Sequence, residues 1–99
     1  MASMLDLRAT SEFTNWIDRL RDVRARARVQ VRIERLALGN PGDVRPVGEG
    51  VSELRIAYGP AYRVDFARRG EVVIVLLAGG DKTTQPADIA LALRLARGL

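Results

Sequence analysis

Apolar and polar positions alternate most cleanly between residues 48 and 82, and the rest of the chain is read around that stretch. Leu54, Ile56, Tyr62, Val64 and Phe66 share one parity; Glu53, Arg55, Arg63 and Asp65 share the other. That period of two marks strands with one buried face. A one-residue slip would turn every side chain over, so burial selects the register. With Gly59, Pro60 and Ala61 as a three-residue loop, Tyr58 faces Tyr62, Ile56 faces Val64 and Leu54 faces Phe66, whereas a two-residue loop would set Ile56 against Arg63. Arg69-Gly70 then turns the chain into the apolar run 72–78, which suits a central strand covered on both sides. In this scheme Leu76 lies opposite Arg63. Lys82 shares the arginines' side if the strand stays regular through Gly79-Gly80, a pair of the kind that often breaks strands.

Residues 4–8 also alternate and predict a short first strand. Thr10-Ser11-Glu12 has the hydroxyl cap and early acid of a helix start, and Phe13, Trp16, Ile17 and Leu20 recur at helical spacing. The spacing predicts a helix over 11–21 whose aromatic pair belongs to the core rather than to a base-stacking platform. Residues 23–33 fit either period, but the stop signal Leu38-Gly39-Asn40-Pro41-Gly42 selects a helix with Ala25, Val29, Ile33 and Leu36 inward. Arg21, Arg24, Arg28, Arg32 and Arg35 then form an outward basic ridge. It is either a solvated helix surface or a surface that tracks the phosphates of structured RNA. Residues 43–47 predict another strand, and Thr83 or Thr84 caps a last helix over 86–97 with Ile89, Ala92, Leu93 and Ala96 inward. Gly48-Glu49-Gly50 lacks the third glycine of a dinucleotide fingerprint, and Asp81 stands where a phosphate loop needs glycine before lysine. The pattern describes one α+β domain over residues 1–99.

Composition narrows the chemistry. The chain has no cysteine and no histidine, which removes disulfides, thiolate metal sites, the usual transition-metal ligand and the commonest general base. No metal and no cofactor are expected. The apolar run 72–78 is too short to cross a bilayer, and residues 1–8 carry an acid and no hydrophobic signal region, so a cytoplasmic, soluble protein without membrane contact is expected. The net charge of +4 rests on arginine, since all but one of the sixteen basic residues are arginine and the exception is Lys82. Arginine's planar fork matches phosphate, which tilts the reading toward nucleic acid.

Several blocks resemble a known family. They are Trp16-Ile17-Asp18-Arg19-Leu20-Arg21-Asp22, Arg32-Ile33-Glu34-Arg35-Leu36, Leu38-Gly39-Asn40-Pro41-Gly42-Asp43, Gly48-Glu49-Gly50-Val51-Ser52-Glu53-Leu54-Arg55-Ile56, Tyr58-Gly59-Pro60-Ala61-Tyr62-Arg63-Val64 and Gly79-Gly80-Asp81-Lys82-Thr83-Thr84-Gln85. Together they resemble the RelE/ParE toxin superfamily, and within it the HigB-like "addiction module killer protein" group. The group usually has glycine at Ala61, tyrosine or a similar residue at Asp65 and cysteine at Ala78.

The resemblance implies a small RelE-like α+β domain, an N-terminal strand and two helices packed on an antiparallel sheet, with a C-terminal helix. It also implies the toxin of a type II toxin–antitoxin system, a ribosome-dependent mRNA endoribonuclease that blocks translation. Its partners would be a cognate helix-turn-helix antitoxin in a hetero-oligomer, mRNA and the ribosome. Arg63 would bind the phosphate, Arg55 and Lys82 would share that task, and Glu53 or Glu49 would be the base. Arg24, Arg28, Arg32 and Arg35 would bind RNA. The tyrosine or histidine that several relatives carry near the C-terminus is missing. Alternatives are a non-catalytic ParE-like toxin that inhibits DNA gyrase by binding, and a degenerate interaction module. A plain structural account of the same residues makes Arg55 and Asp65 a cross-strand ion pair and Lys82 a solvated turn residue.

Overall fold

Alternating hydrophobicity organises the middle of the chain into a meander of β3 (Val51–Ile56), β4 (Tyr62–Arg69) and β5 (Val73–Gly80). Strand β2 (Val44–Gly48) extends it beside β3, and β1 (Asp6–Ala9) closes the other edge beside β5, giving the order β1-β5-β4-β3-β2. Helices α1 (Ser11–Arg19) and α2 (Val23–Ala37) lie between β1 and β2 in the chain, and α3 (Gln85–Arg97) ends it. This computed structural model describes residues 4–99; residues 1–3 of the N-terminal stretch expected to carry no signal region lie outside the described residues. The expected α+β architecture is present, with one difference. The sheet is mixed, because β1 runs parallel to β5 while every other pair is antiparallel. Thr10 secures that edge: its amide donates to the Leu76 carbonyl at 3.0 Å, and its hydroxyl caps α1 by accepting from the Phe13 amide at 3.1 Å.

Leu54, Ile56, Val64, Phe66, Ile74 and Leu76 face α1 and α2, whose Phe13, Ala25, Val29, Ile33 and Leu36 complete the larger core. Trp16 packs against it, with ring centroids 5.9 Å from Phe13 and 6.3 Å from Tyr62, so the aromatic pair belongs to the core as expected. The opposite face is half apolar and half polar. Val51, Ala67, Val75 and Leu77 meet Ala92 and Ala96 of α3, while Glu53 and Asp65 are buried farther along the same face. Helix α1 stops at Arg19 instead of residue 21, because Asp22 caps α2 by accepting from the Arg24 and Ala25 amides at 3.0 and 3.1 Å. Arg21 therefore sits in the link between helices rather than on the α2 ridge.

The hairpin keeps the predicted faces but not the predicted partners. Ile56 pairs with Tyr62, Leu54 with Val64, Arg55 with Arg63 and Glu53 with Asp65, a slide of two residues that leaves residues 57–61 as the loop. Tyr58 is the cause. It leaves the ladder for α2, where its hydroxyl donates to Asp22 at 3.2 Å and its ring lies 4.7 Å from the Arg28 guanidinium. Sliding by an even number preserves which side chains are buried. Ala61 pays for the tight loop with φ of 64°, a conformation that favours glycine.

A second offset lies between β4 and β5, where the register shifts between Asp65 and Phe66 and brings Arg63 opposite Gly80 rather than Leu76. Such a bulge lets adjacent residues face one side. Strand β5 runs through both glycines because both neighbours need the space: a Cβ on Gly79 would land inside the Trp16 ring, and one on Gly80 would meet Asp88 and Thr84. The strand ends there, and Lys82 lies in the following turn, exposed, with its amide donating to the Pro60 carbonyl at 3.2 Å. Gly79→Ala is expected to destabilise the protein by about 1–3 kcal/mol through overpacking, with partial recovery when Trp16 is shortened to leucine, as measured by urea denaturation.

Candidate nucleic-acid site

Arg63 is the best-defined of the site residues expected from sequence. It enters from β4 on the face that α3 covers, its side chain is 14% exposed, and its Nη1 donates to Glu53 Oε1 at 2.8 Å. Glu53 comes from the neighbouring strand and is 1% exposed. Its second oxygen, Oε2, accepts from Gln85 Nε2 at 2.9 Å, so the first residue of α3 completes the clamp. A buried carboxylate is tolerable because a cation and an amide meet both oxygens. Arg63 also lines a small cleft of about 110 Å³ with Arg55, Asp43, Ala57 and Tyr62.

Arg55 joins Arg63 at that cleft and lies opposite it across the strands. Its partner is Asp43, at 3.7 Å with both side chains well exposed, and not Asp65, so the cross-strand ion pair between Arg55 and Asp65 is replaced. At that exposure the pair contributes little and leaves the guanidinium available. Lys82 reaches this end of the sheet through its backbone contact with Pro60. Glu49 does not come to the site. It lies in the β2–β3 turn, beyond the Val51–Ala67 pair, and its carboxylate accepts from Arg97 at 2.7 and 2.9 Å, which holds its pKa below the ordinary range.

The four α2 arginines expected to bind RNA divide into two kinds. Arg24, Arg28 and Arg35 are exposed. Arg32 is drawn inward, donating to the carbonyls of Arg55, Pro41 (2.9 Å) and Asp43 (3.2 Å), and thereby fastens the helix to the loop before β2 and the end of β3. A larger cleft, about 250 Å³, runs between Arg28, Arg35 and the strand end, and it shares Ile56 and Ala57 with the Arg63 cleft. Two arginine-lined depressions thus adjoin at Ile56 and Ala57.

Three participants were not singled out by the sequence reading: Gln85, Tyr58 and the buried state of Asp65. Asp65 is 1% exposed, and its Oδ1 is buried without a hydrogen-bond partner among the described residues. Burial first, then the Glu53 and Asp88 carboxylates, push its pKa up to about 7, with Arg63 opposing. Asp88 is also raised, mainly by burial, against a hydrogen bond from Thr84. Among the described residues no group of three or more acids stands close enough to hold a metal ion.

The raised pKa ties Asp65 to stability. An unfolded aspartic acid releases its proton near pH 4, whereas the folded protein retains it to about pH 7. The proton-linked stability is therefore fully present below about pH 4 and lost as pH rises through about 7. Asp65→Asn should remove that loss, so its advantage over wild type should grow by on the order of 2–4 kcal/mol between pH 4 and 8. Parallel urea titrations at the two pH values measure it.

Comparison with known proteins places the chain in a family. Residues 15–97 match the family described as "Phage derived protein Gp49-like (DUF891)". The chain is 42% identical over 95 residues to an uncharacterized protein of Haemophilus influenzae (strain Rd), with 96% of each chain covered. No solved structure matches it. Because the family match takes in both clefts, the Glu53 clamp and α3, the chain belongs to the Gp49-like phage-derived family, a RelE/HigB-type toxin family of toxin–antitoxin loci.

Proposed function

We propose that this protein is the toxin of a type II toxin–antitoxin pair and acts as a ribosome-dependent mRNA endoribonuclease that arrests translation. The observation carrying this reading is Arg63, a guanidinium fixed by a buried carboxylate at the wall of a cleft it shares with Arg55, in a chain of the Gp49-like family. RNA supplies its own nucleophile. The 2′-oxygen attacks the adjacent phosphorus, the bond to the 5′-oxygen breaks, and a 2′,3′-cyclic phosphate and a 5′-hydroxyl result. The 2′-OH proton passes to water, and a solvent proton joins the leaving 5′-oxygen. Arg63 and Arg55 bind the phosphate and stabilise the charge it gains, and Lys82 adds to the positive potential at that end of the sheet. Glu53 has both oxygens engaged, so its role is to orient Arg63 rather than to take the proton. Glu49 takes no part.

Messenger RNA leaving the Arg63 cleft over Ala57 meets Arg28 and Arg35, with Arg24 farther along the same helix. This is a run of phosphate contacts whose strength depends on salt. Arg32 serves the run by holding α2 in place. A cognate helix-turn-helix antitoxin would neutralise the cationic track with an acidic segment or by covering the outer helices. Two observations favour a second reading. Glu53 is closed off, and no tyrosine or histidine follows Tyr62, as suits a ParE-like toxin that inhibits DNA gyrase by binding or an interaction module.

Arg63→Ala would strand the buried Glu53 charge at a cost of about 3–5 kcal/mol, so Arg63→Lys is the informative variant. It keeps the charge and loses the fork. Cleavage of message on programmed ribosomes should fall by about 10²-fold, in the range of losing one preorganised donor, with an unchanged circular dichroism spectrum. Arg55→Ala and Lys82→Ala should lower it less. Unchanged cleavage by Arg63→Lys removes the assignment, and arrest of DNA replication ahead of protein synthesis on induction selects the gyrase reading. Arg24→Ala should flatten the salt dependence of RNA binding by about 0.7–0.9 in log–log slope while leaving single-turnover cleavage at saturation unaltered. An unchanged slope takes Arg24 off the RNA path.

A further inference from the structure

Glu53 and Asp65 are cross-strand partners, and each is 1% exposed. Directly opposed Cβ atoms lie about 5 Å apart, so two negative charges there would repel strongly once water is excluded. Arg63 is the cation bonded at this pair, and it bonds Glu53. The other groups facing Asp65 do not offer a second cation. Strand β5 presents Ala78 and contains no titratable side chain, α3 contributes Asp88 near Asp81, and Arg45 stands beyond Glu53 on β2. One guanidinium balances one carboxylate, so the remaining acid is favoured in its neutral form.

Two buried groups on this face are unmet: among the described residues, Arg63 Nε is a donor without an acceptor, and Asp65 Oδ1 is an acceptor without a donor. The two residues are two apart on β4 and face the same side of the sheet.

We propose that Asp65 is a positioning residue that governs Arg63: as a neutral acid it leaves the guanidinium to the cleft and an RNA phosphate, and as a carboxylate it takes the Nε–H and draws the guanidinium inward. The proton lost in the change goes to solvent. The inference rests on the assignment of Arg63 to the phosphate. The raised pKa of Asp65, about 7, agrees with a change between the two states near neutral pH.

The first test needs only the free protein. Side-chain carboxyl ¹³C resonances of aspartate and the ¹⁵Nε resonance of Arg63 are followed from pH 5 to 9 in wild type and in Asp65→Asn. A carboxyl titrating between pH 6 and 8 that is missing in Asp65→Asn, with Arg63 Nε shifting at the same midpoint only in wild type, supports the coupling. No such titration, or a titrating Asp65 with an unmoved Arg63 Nε, overturns it. The second test is the ratio of ribosomal cleavage by Asp65→Asn to that by wild type, which removes the intrinsic pH dependence of RNA chemistry. That ratio should rise about tenfold from pH 6 to 8, following the loss of the neutral acid, and a constant ratio overturns the proposal. Coupled titration in a protein inactive on ribosomes supports the coupling and sinks the nuclease reading, so the two failures are distinguishable.

Discussion

The Glu53 carboxylate is the point on which the polar half of this molecule depends. It sits on a central strand with almost no exposure, and it is held by Arg63 from the next strand and by Gln85 from the start of α3. Burying a charge is costly unless its partners are in place, and removing one partner leaves the whole penalty exposed. Three elements are therefore committed to one geometry. Helix α3 must begin at Gln85 in the position that meets Oε2, which in turn requires the tight turn after Gly80 and the space that Gly80 leaves for Asp88 and Thr84. The apolar contacts of Ala92 and Ala96 hold the rest of the helix, while the clamp sets where its first turn lies.

Much of this was legible in the alternation, and the parts that were not have specific causes. Face assignment survived because a strand offers only two sides, so Glu53, Arg55, Arg63 and Asp65 share one side under either register. The partners moved because Tyr58 gains more from α2, through Asp22 and Arg28, than from a place opposite Tyr62. The cap at Thr10 marked the start of α1, since its side chain bonds the Phe13 amide and that preference is local; Asp22, which caps α2 in the same way, was not read as a cap, and it is the stop signal after Leu38 that revealed that helix. Burial was not legible. Whether Glu53 and Asp65 meet water depends on where α3 lies across the sheet, and no pattern within β3 or β4 carries that information. Arginine count was similarly blind: Arg28 and Arg32 are one turn apart, yet one lies on a tyrosine face and the other is spent on three carbonyls.

The loops show where conformational strain is tolerated. Glu49 and Ala61 both adopt positive φ without being glycine, each at about 1 kcal/mol or somewhat more. Each is held by a contact that makes the conformation worthwhile. Glu49 meets Arg97 at the C-terminal end of α3, and the amide of Ala61 donates to the Tyr58 carbonyl at 3.1 Å, which closes the loop beside the cleft. The strained alanine adjoins Tyr62 and Arg63, so the loop that carries the strain also sets the path by which Arg63 enters the site.

A guanidinium already bonded to a carboxylate has part of its charge answered, which weakens it as a phosphate ligand. Two effects oppose one another here. Glu53 lowers the net potential at the cleft, but it also removes the rotational freedom that a free arginine would lose on binding, of order 1–2 kcal/mol for such a side chain. Glu53 engages only Nη1, which leaves the fork incompletely used. In the proposed cleavage the phosphate gains charge whereas the carboxylate does not, so a fixed cation would favour the transition state over the resting state by more than its ground-state affinity suggests. The balance then turns on how many negative charges lie beneath the guanidinium. One carboxylate orients it; a second would compete with the phosphate for it. The burial of Asp65 beside Glu53 keeps that number at one as long as Asp65 retains its proton.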